Sequence, residues 1–280
     1  MRATTAERGR TGYALARAPE EYERLRAQAR VWEAATGRVL DAVGLAAGHR
    51  CLDAGCGPGE TMRLMAERVG PSGSVTGIDV DTDLGEAAVA MLHARGHHQC
   101  RFVDADVTSE DAIVDERFDV VYARLLLYHL PERVAVLRRL WKAVAPGGHL
   151  VIQDYDVRSA GVEPPLATVE EFKRVVLPAF AAAGCDVHVG TRLPELFARA
   201  GIGAPDGTDV AGRLEPLADA QGLFTGVYSG VLATAIAHGL TTQERADAWR
   251  TEFARDVERY PERPALWPLL MGAWKRKPLT

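Results

Sequence analysis

Asp53-Ala54-Gly55-Cys56-Gly57-Pro58-Gly59 leaves a first strand, Arg50-Cys51-Leu52-Asp53, and opens a stretch in which Met62, Met65, Ala66 and Val69 recur on one helical face. This is a strand, a glycine-rich turn and a helix. Its glycines let backbone N–H groups come close to a ligand at the helix N-terminus. A dinucleotide fold would continue as G-x-G-x-x-G, but counting from Gly55 the sixth position is Glu60, whose charge suits a pyrophosphate poorly. No Gly-Lys-Ser/Thr is present, which removes a Walker-type phosphate loop.

Outward from this turn, residues from about 49 to 155 alternate short apolar runs with amphipathic segments, as βαβ units around a parallel sheet do. Ser74 to Asp79 reads as the second strand. Leu84, Ala87, Ala88, Met91 and Leu92 form the next helical face, closed by Gly96, and a third strand spans Arg101 to Asp104. Phe118 to Tyr122 is the fourth strand. Pro131 marks the start of a helix carrying Val134, Leu137, Leu140, Trp141 and Val144, and Pro146-Gly147-Gly148 turns the chain into a fifth strand, His149 to Asp154.

The flanks are less regular. Tyr22, Leu25, Ala29 and Trp32 predict a helix over about 20–44. Beyond the fifth strand, helices are expected at about 168–183, 192–200 and 216–260, with strands near 208–214 and 266–275. The long helical stretch between those last two strands exceeds a connecting loop and reads as a cap. One domain is therefore expected over 1–280: an N-terminal helical lid at 1–48, a ligand-binding core at 49–160, and the rest of the sheet at 161–280 with a helical cap at about 215–264.

Asp79 ends the second strand 26 residues after Asp53, where this type of fold places a carboxylate on the ribose hydroxyls of an adenosine ligand. A solvated turn in Asp79-Val80-Asp81 is the alternative. Asp106, in Val103-Asp104-Ala105-Asp106-Val107, can accept from an adenine amino group or cap a helix.

Composition narrows the function. The formal net charge of -5 denies the chain the broad positive field that would hold a phosphate backbone, so nucleic acid is not the expected partner. Four cysteines, at 51, 56, 100 and 185, show neither Cys-x-x-Cys nor His partners at ligand spacing, so no metal site and no disulfide framework is expected. Met1-Arg2-Ala3-Thr4-Thr5 leads into charged residues without an apolar targeting stretch, and no run reaches the ~18–20 apolar residues that span a bilayer, so a cytoplasmic protein without membrane contact is expected.

Together, Leu-Asp-Ala-Gly-Cys-Gly-Pro-Gly at 52–59, Gly-Ile-Asp at 77–79, Phe-Asp-Val-Val-Tyr at 118–122 and Ala-Pro-Gly-Gly at 145–148 resemble the class I S-adenosylmethionine-dependent methyltransferases, especially bacterial small-molecule enzymes of quinone and natural-product pathways. The resemblance covers Leu52 to Ile152, and Pro268 to Pro278 is similar to the last antiparallel strand of that fold. It implies a Rossmann-like α/β fold with a seven-stranded, mostly parallel sheet. It further implies that Asp53, Gly55, Cys56, Gly57 and Gly59 hold the methionine part of S-adenosyl-L-methionine, with Cys56 acting through its backbone amide. Asp79 and Val80 would then meet the ribose, Asp106 and Val107 the adenine, and the backbone near Ala123 and Arg124 the methionine amino group. Position 105 is Ala where many relatives have Gly.

Methyl transfer from a sulfonium is an in-line displacement in which positioning can supply effective molarities of ~10⁵–10⁸ M. A base, where an acceptor needs one, is sought at the carboxyl ends of the fourth and fifth strands: Arg124, Tyr128 and His129, then Asp154, Tyr155 and Asp156. His129 and Asp154 are the leading catalytic candidates, and Tyr13 is expected to close over the donor. The acceptor is expected to be a small molecule offering oxygen, nitrogen or an electron-rich carbon such as indole, and a homodimer is open. Three rivals stay in view: a nicotinamide oxidoreductase, a nucleic-acid methyltransferase and a non-catalytic nucleoside-binding protein. Against the second, the Asn/Asp-Pro-Pro-Tyr motif is missing after the fourth strand, which reads Tyr122-Ala123-Arg124-Leu125.

Overall fold

The computed structural model describes Arg26, residues 29–109 and residues 116–279. Its main sheet contains β1 (Arg50–Ala54), β2 (Ser74–Asp79), β3 (Cys100–Asp104), β4 (Phe118–Arg124), β5 (Val144–Asp156), β7 (Gly207–Ala211) and β10 (Leu269–Arg276). The spatial order is β3-β2-β1-β4-β5-β10-β7. Strands β1 to β5 pair in parallel, whereas β10 runs antiparallel to both neighbours, so β7 again points the same way as β5. The expected seven-stranded sheet is therefore present.

Strand alternation assigns the two faces. Leu52 and Ala54 join Ile78, Val121, Ala123, Leu150 and Ile152 in one core, while Cys51, Val75, Val120, Tyr122 and Val151 belong to the other. The second face is covered by α1 (Glu33–Ala42), α2 (Glu60–Val69) and Leu92 of α3 (Thr82–Ala94). The first face is covered by α4 (Arg133–Ala143), α5 (Ala167–Ala182) and α6 (Leu193–Arg199). All four apolar residues read as the inner face of α2 are buried, whereas Ala87 of α3 is exposed.

The structure corrects three sequence expectations. Strand β5 begins at Val144: Phe118 pairs with Val144 and Val120 with His149, so Pro146-Gly147-Gly148 forms an irregularity inside the strand. The stretch expected as a strand near 208–214 is two strands, β7 and β8 (Leu214–Pro216). Strand β8 belongs to a small antiparallel sheet ordered β6-β9-β8, with β6 (Gly161–Val162) and β9 (Pro264–Leu266). Finally, 216–260 is two helices, α7 (Leu217–Ala237) and α8 (Gln243–Arg259), because Gly239 takes a left-handed φ of 69° and the Thr242 side chain caps α8.

Helices α7 and α8 pack over α5 through an aromatic column. Tyr228 stacks on Trp249 at 4.1 Å and Trp249 on Phe253 at 5.1 Å, and the Trp249 indole donates to the Thr168 carbonyl. Among the described residues α7 is one helix long and apolar enough to cross a membrane, by length and composition alone. Its Leu217, Ala220, Phe224, Tyr228, Val231 and Ala235 lie in the core.

Candidate functional site

The site lies at the carboxyl ends of β1, β2, β4 and β5, where the glycine turn leaves the sheet. Gly57 has φ 48° and donates its N–H to Asp79 Oδ2 at 2.9 Å; a Cβ there would meet nothing within 4 Å. Gly59, the N-cap of α2, has φ 80°, and a Cβ on it would come 2.8 Å from the Cβ of Ala88. No side chain caps this helix end, so its first N–H groups are available to a ligand. Glu60, buried just beyond, is turned into an ion pair with Arg63 at 3.2 Å.

Asp53 is buried, and its Oδ2 has no hydrogen-bond partner. Burial pushes its pKa up to about 7, opposed by the positive charge of Arg124 and assisted by Asp79. An unpaired buried carboxylate oxygen costs free energy, so this position fits a cationic group such as an amino-acid ammonium. Asp79 is half-buried and accepts from Gly57 N–H and, at 3.0 Å, from Asp81 N–H. Its pKa is raised, chiefly by burial. Asp79 thus orders the turn after β2 and ties it to the glycine loop. Asp106 Oδ1 accepts the backbone N–H and the hydroxyl of Thr108, each at 2.7 Å, and Val107 is buried beside it. Val80 follows Asp79 directly at the end of β2; Cys56 is buried with its N–H on the Ile78 carbonyl, so the amide expected to meet the methionine part is engaged within the fold.

Ala123 and Arg124 finish β4, and Leu125 beyond them adopts φ 54° while its N–H bonds the Gln153 carbonyl. The chain then makes a 3₁₀ turn, Leu127–His129. Asp154 pins this turn, with Oδ2 accepting from Tyr128 N–H and Oδ1 from Tyr155 N–H, each at 3.0 Å. Asp154 is fully buried, and burial pushes its pKa up to about 7 against these amide bonds. Asp156 is held by Arg158, which keeps its pKa low. His129 Nδ1 lies 3.8 Å from the sulfur of Cys185, and burial raises that thiol to about 11. The Tyr155 hydroxyl accepts from the Trp32 indole at 2.7 Å. Tyr13 lies outside the described residues.

Sequence reasoning missed a buried polar cluster in which Thr36 of α1 joins Tyr122, Arg124 and Gln153. Its signal was a threonine set within the apolar stripe Trp32, Ala35, Val39 and Leu40.

Among the described residues no group of three His, Cys, Asp or Glu side chains could hold a metal ion, and all four cysteines are free and buried.

A family described as a methyltransferase domain matches residues 45–192. The chain is 32% identical over 221 residues to a trans-aconitate 2-methyltransferase of Methylobacterium nodulans, covering 70% of this chain and 82% of that one. It is 28% identical over 184 residues to the methyltransferase GfsG of Streptomyces halstedii, covering 66% of this chain and 63% of that relative's length. Among solved structures, a candidate methyltransferase of Bacillus halodurans superposes with a TM-score of 0.60 at 17% identity, covering 87% of this chain and 98% of the other.

Proposed function

The chain belongs to the class I S-adenosylmethionine-dependent methyltransferases, which here act on small molecules, and from that premise we propose that its acceptor is a small organic acid whose carboxylate oxygen receives the methyl group. One observation carries this reading. The two acids at the end of β5 are both buried and engaged within the fold, Asp154 with backbone amides and Asp156 with Arg158, so neither presents a free carboxylate to an acceptor. A carboxylate acceptor arrives ionised at neutral pH and needs no base. Relatives named for methylating trans-aconitate support an acid.

The donor supplies an electrophilic methyl on sulfonium; the chain's part is to hold and align. Asp53, with Gly55, Cys56, Gly57 and Gly59, would hold the methionine end, Asp79 and Val80 the ribose, and Asp106 and Val107 the adenine. Ala123 and Arg124 would flank the amino group. In this reading Asp154 is a positioning residue that fixes the Leu127–His129 turn. His129 lines the acceptor side. The proposal extends to a lid at 1–48 and a cap at about 215–264 around a cytoplasmic small-molecule reaction, in a natural-product pathway, that involves neither nucleic acid nor membrane.

The test is incubation with methyl-labelled S-adenosylmethionine and a panel of aliphatic di- and tricarboxylates, a phenol, an indole and a primary amine. Base-labile label on the acids alone is expected. Label on the phenol, indole or amine with none on any acid would overturn the assignment.

A further inference from the structure

Thr36 is fully buried and is the polar member of an otherwise apolar face of α1. Its Oγ1 accepts from Arg124 Nη1 at 2.8 Å, lies 3.1 Å from Gln153 Oε1 and is 3.2 Å from the Tyr122 hydroxyl. A guanidinium can only donate, so the Thr36 hydroxyl hydrogen is left to donate onward, and the Gln153 oxygen takes it. The Tyr122 hydroxyl donates to the same oxygen at 2.5 Å. Gln153 is thereby oriented with its oxygen toward β4 and its nitrogen over Gly272 of β10, where a Cβ would lie 3.6 Å from Nε2.

Arg124 follows Tyr122 by two residues, and Tyr122 pairs in register with Asp53, so Arg124 and Asp53 share one face of adjacent strands. The positive charge of Arg124 acts on the Asp53 carboxyl across that diagonal. We infer that Thr36 is a positioning residue for the donor site, its hydroxyl anchoring the Arg124 guanidinium beside Asp53, so that docking of α1 and holding of the donor's ammonium are coupled. The inference rests on the reading of Asp53 as the acid of the methionine end.

Other groups also act on Asp53. Asp79 on β2 opposes its ionisation, and Tyr122 on β4 and the thiols of Cys51 and Cys56 lie within its electrostatic reach. Of these neighbours, Thr36 bonds to Arg124 and to Tyr122, and Arg124 alone is a cation that favours the charged carboxylate.

The experiment is calorimetric titration with S-adenosylhomocysteine and with 5′-methylthioadenosine, which lacks the amino-acid end, between pH 5.5 and 7.5. Wild type is expected to bind S-adenosylhomocysteine more weakly as Asp53 takes up a proton below about 7, with no such step for 5′-methylthioadenosine. Thr36→Val should move the step to higher pH and weaken S-adenosylhomocysteine about tenfold at pH 7, the size of one lost hydrogen bond to a charged group. It should leave 5′-methylthioadenosine unchanged, and Thr36→Ser should restore the wild-type curve. Should Thr36→Val not fold, Arg124→Gln, which keeps a donor to Thr36 without the charge, must give the same upward shift. Wild-type affinity and pH profile in the variants, or an equal loss of both ligands, would overturn the inference. Failure of wild type to bind either ligand would instead remove the donor-site reading beneath it.

Discussion

Asp79, at the end of β2, accepts the backbone N–H of Gly57 through Oδ2 at 2.9 Å, which locks the acid and the glycine loop of the neighbouring strand into one unit. Removing this carboxylate takes away an internal bond and, in the donor site proposed above, the ribose contact. Asp79→Ala is expected to weaken S-adenosylhomocysteine by about 1.5–3 kcal/mol, the range for a hydrogen bond involving a charged group. Calorimetry checks this, with far-UV dichroism confirming an intact fold. An unchanged dissociation constant would leave Asp79 as a turn residue only.

Gly59 combines a left-handed φ of 80° with a Cβ position 2.8 Å from Ala88. Gly59→Ala must therefore strain the backbone and push α3 away from α2. A stability loss of about 1–3 kcal/mol is expected, together with weaker donor binding. Urea unfolding of the two proteins measures the first, and a midpoint equal to wild type would show that the loop relaxes freely.

The pKa of Asp154 is raised by burial in the folded protein to about 7, from the ordinary carboxyl value of 3.8. The folded state binds the extra proton, so this group's stabilisation is complete below about 3.8 and is lost as pH rises toward 7. Asp53 is raised in the same direction. Thermal unfolding of wild type is thus expected to fall in midpoint from about pH 4 to 7 and to level off above, and Asp154→Asn to flatten part of that fall. A midpoint for Asp154→Asn that tracks wild type across the whole range would contradict the assignment.

His129 stands at the end of the Leu127–His129 turn with Nδ1 beside Cys185. For a carboxylate acceptor, His129→Ala should lower kcat by less than about tenfold and act partly on acceptor KM, with a flat rate profile from pH 6 to 9. A general base would instead cost about 10²–10⁴ in kcat, and the wild-type rate would drop below pH ~6.5. Steady-state kinetics on both proteins separates the two.

Local chemistry made the nucleotide-side half of the molecule legible from sequence. β2 runs from Ser74 to Asp79 as read, because Gly73 and the polar Asp81-Thr82 bound a short segment carrying the β-branched Val75, Thr76 and Ile78, and the inner face of α2 follows from 3.6-residue spacing alone. The glycine loop and Asp79 could be placed from sequence because backbone freedom and strand-end position are both written locally.

Pairing between distant segments decided the rest. Whether Val144 ends a helix or starts β5 depends on Phe118 as its partner, and whether 208–216 is one strand or two depends on β10 and β9 claiming different residues. The availability of Asp154 as a base was likewise invisible, since its two lone-pair partners are amides supplied by folding the Leu127–His129 turn against β5. Thr36 meets Arg124 across 88 residues of chain. Sequence determines which residues are polar and which faces are apolar; only the tertiary structure determines which buried polar group finds which partner, because the cost of leaving one unpaired is settled by contacts between elements far apart in the chain.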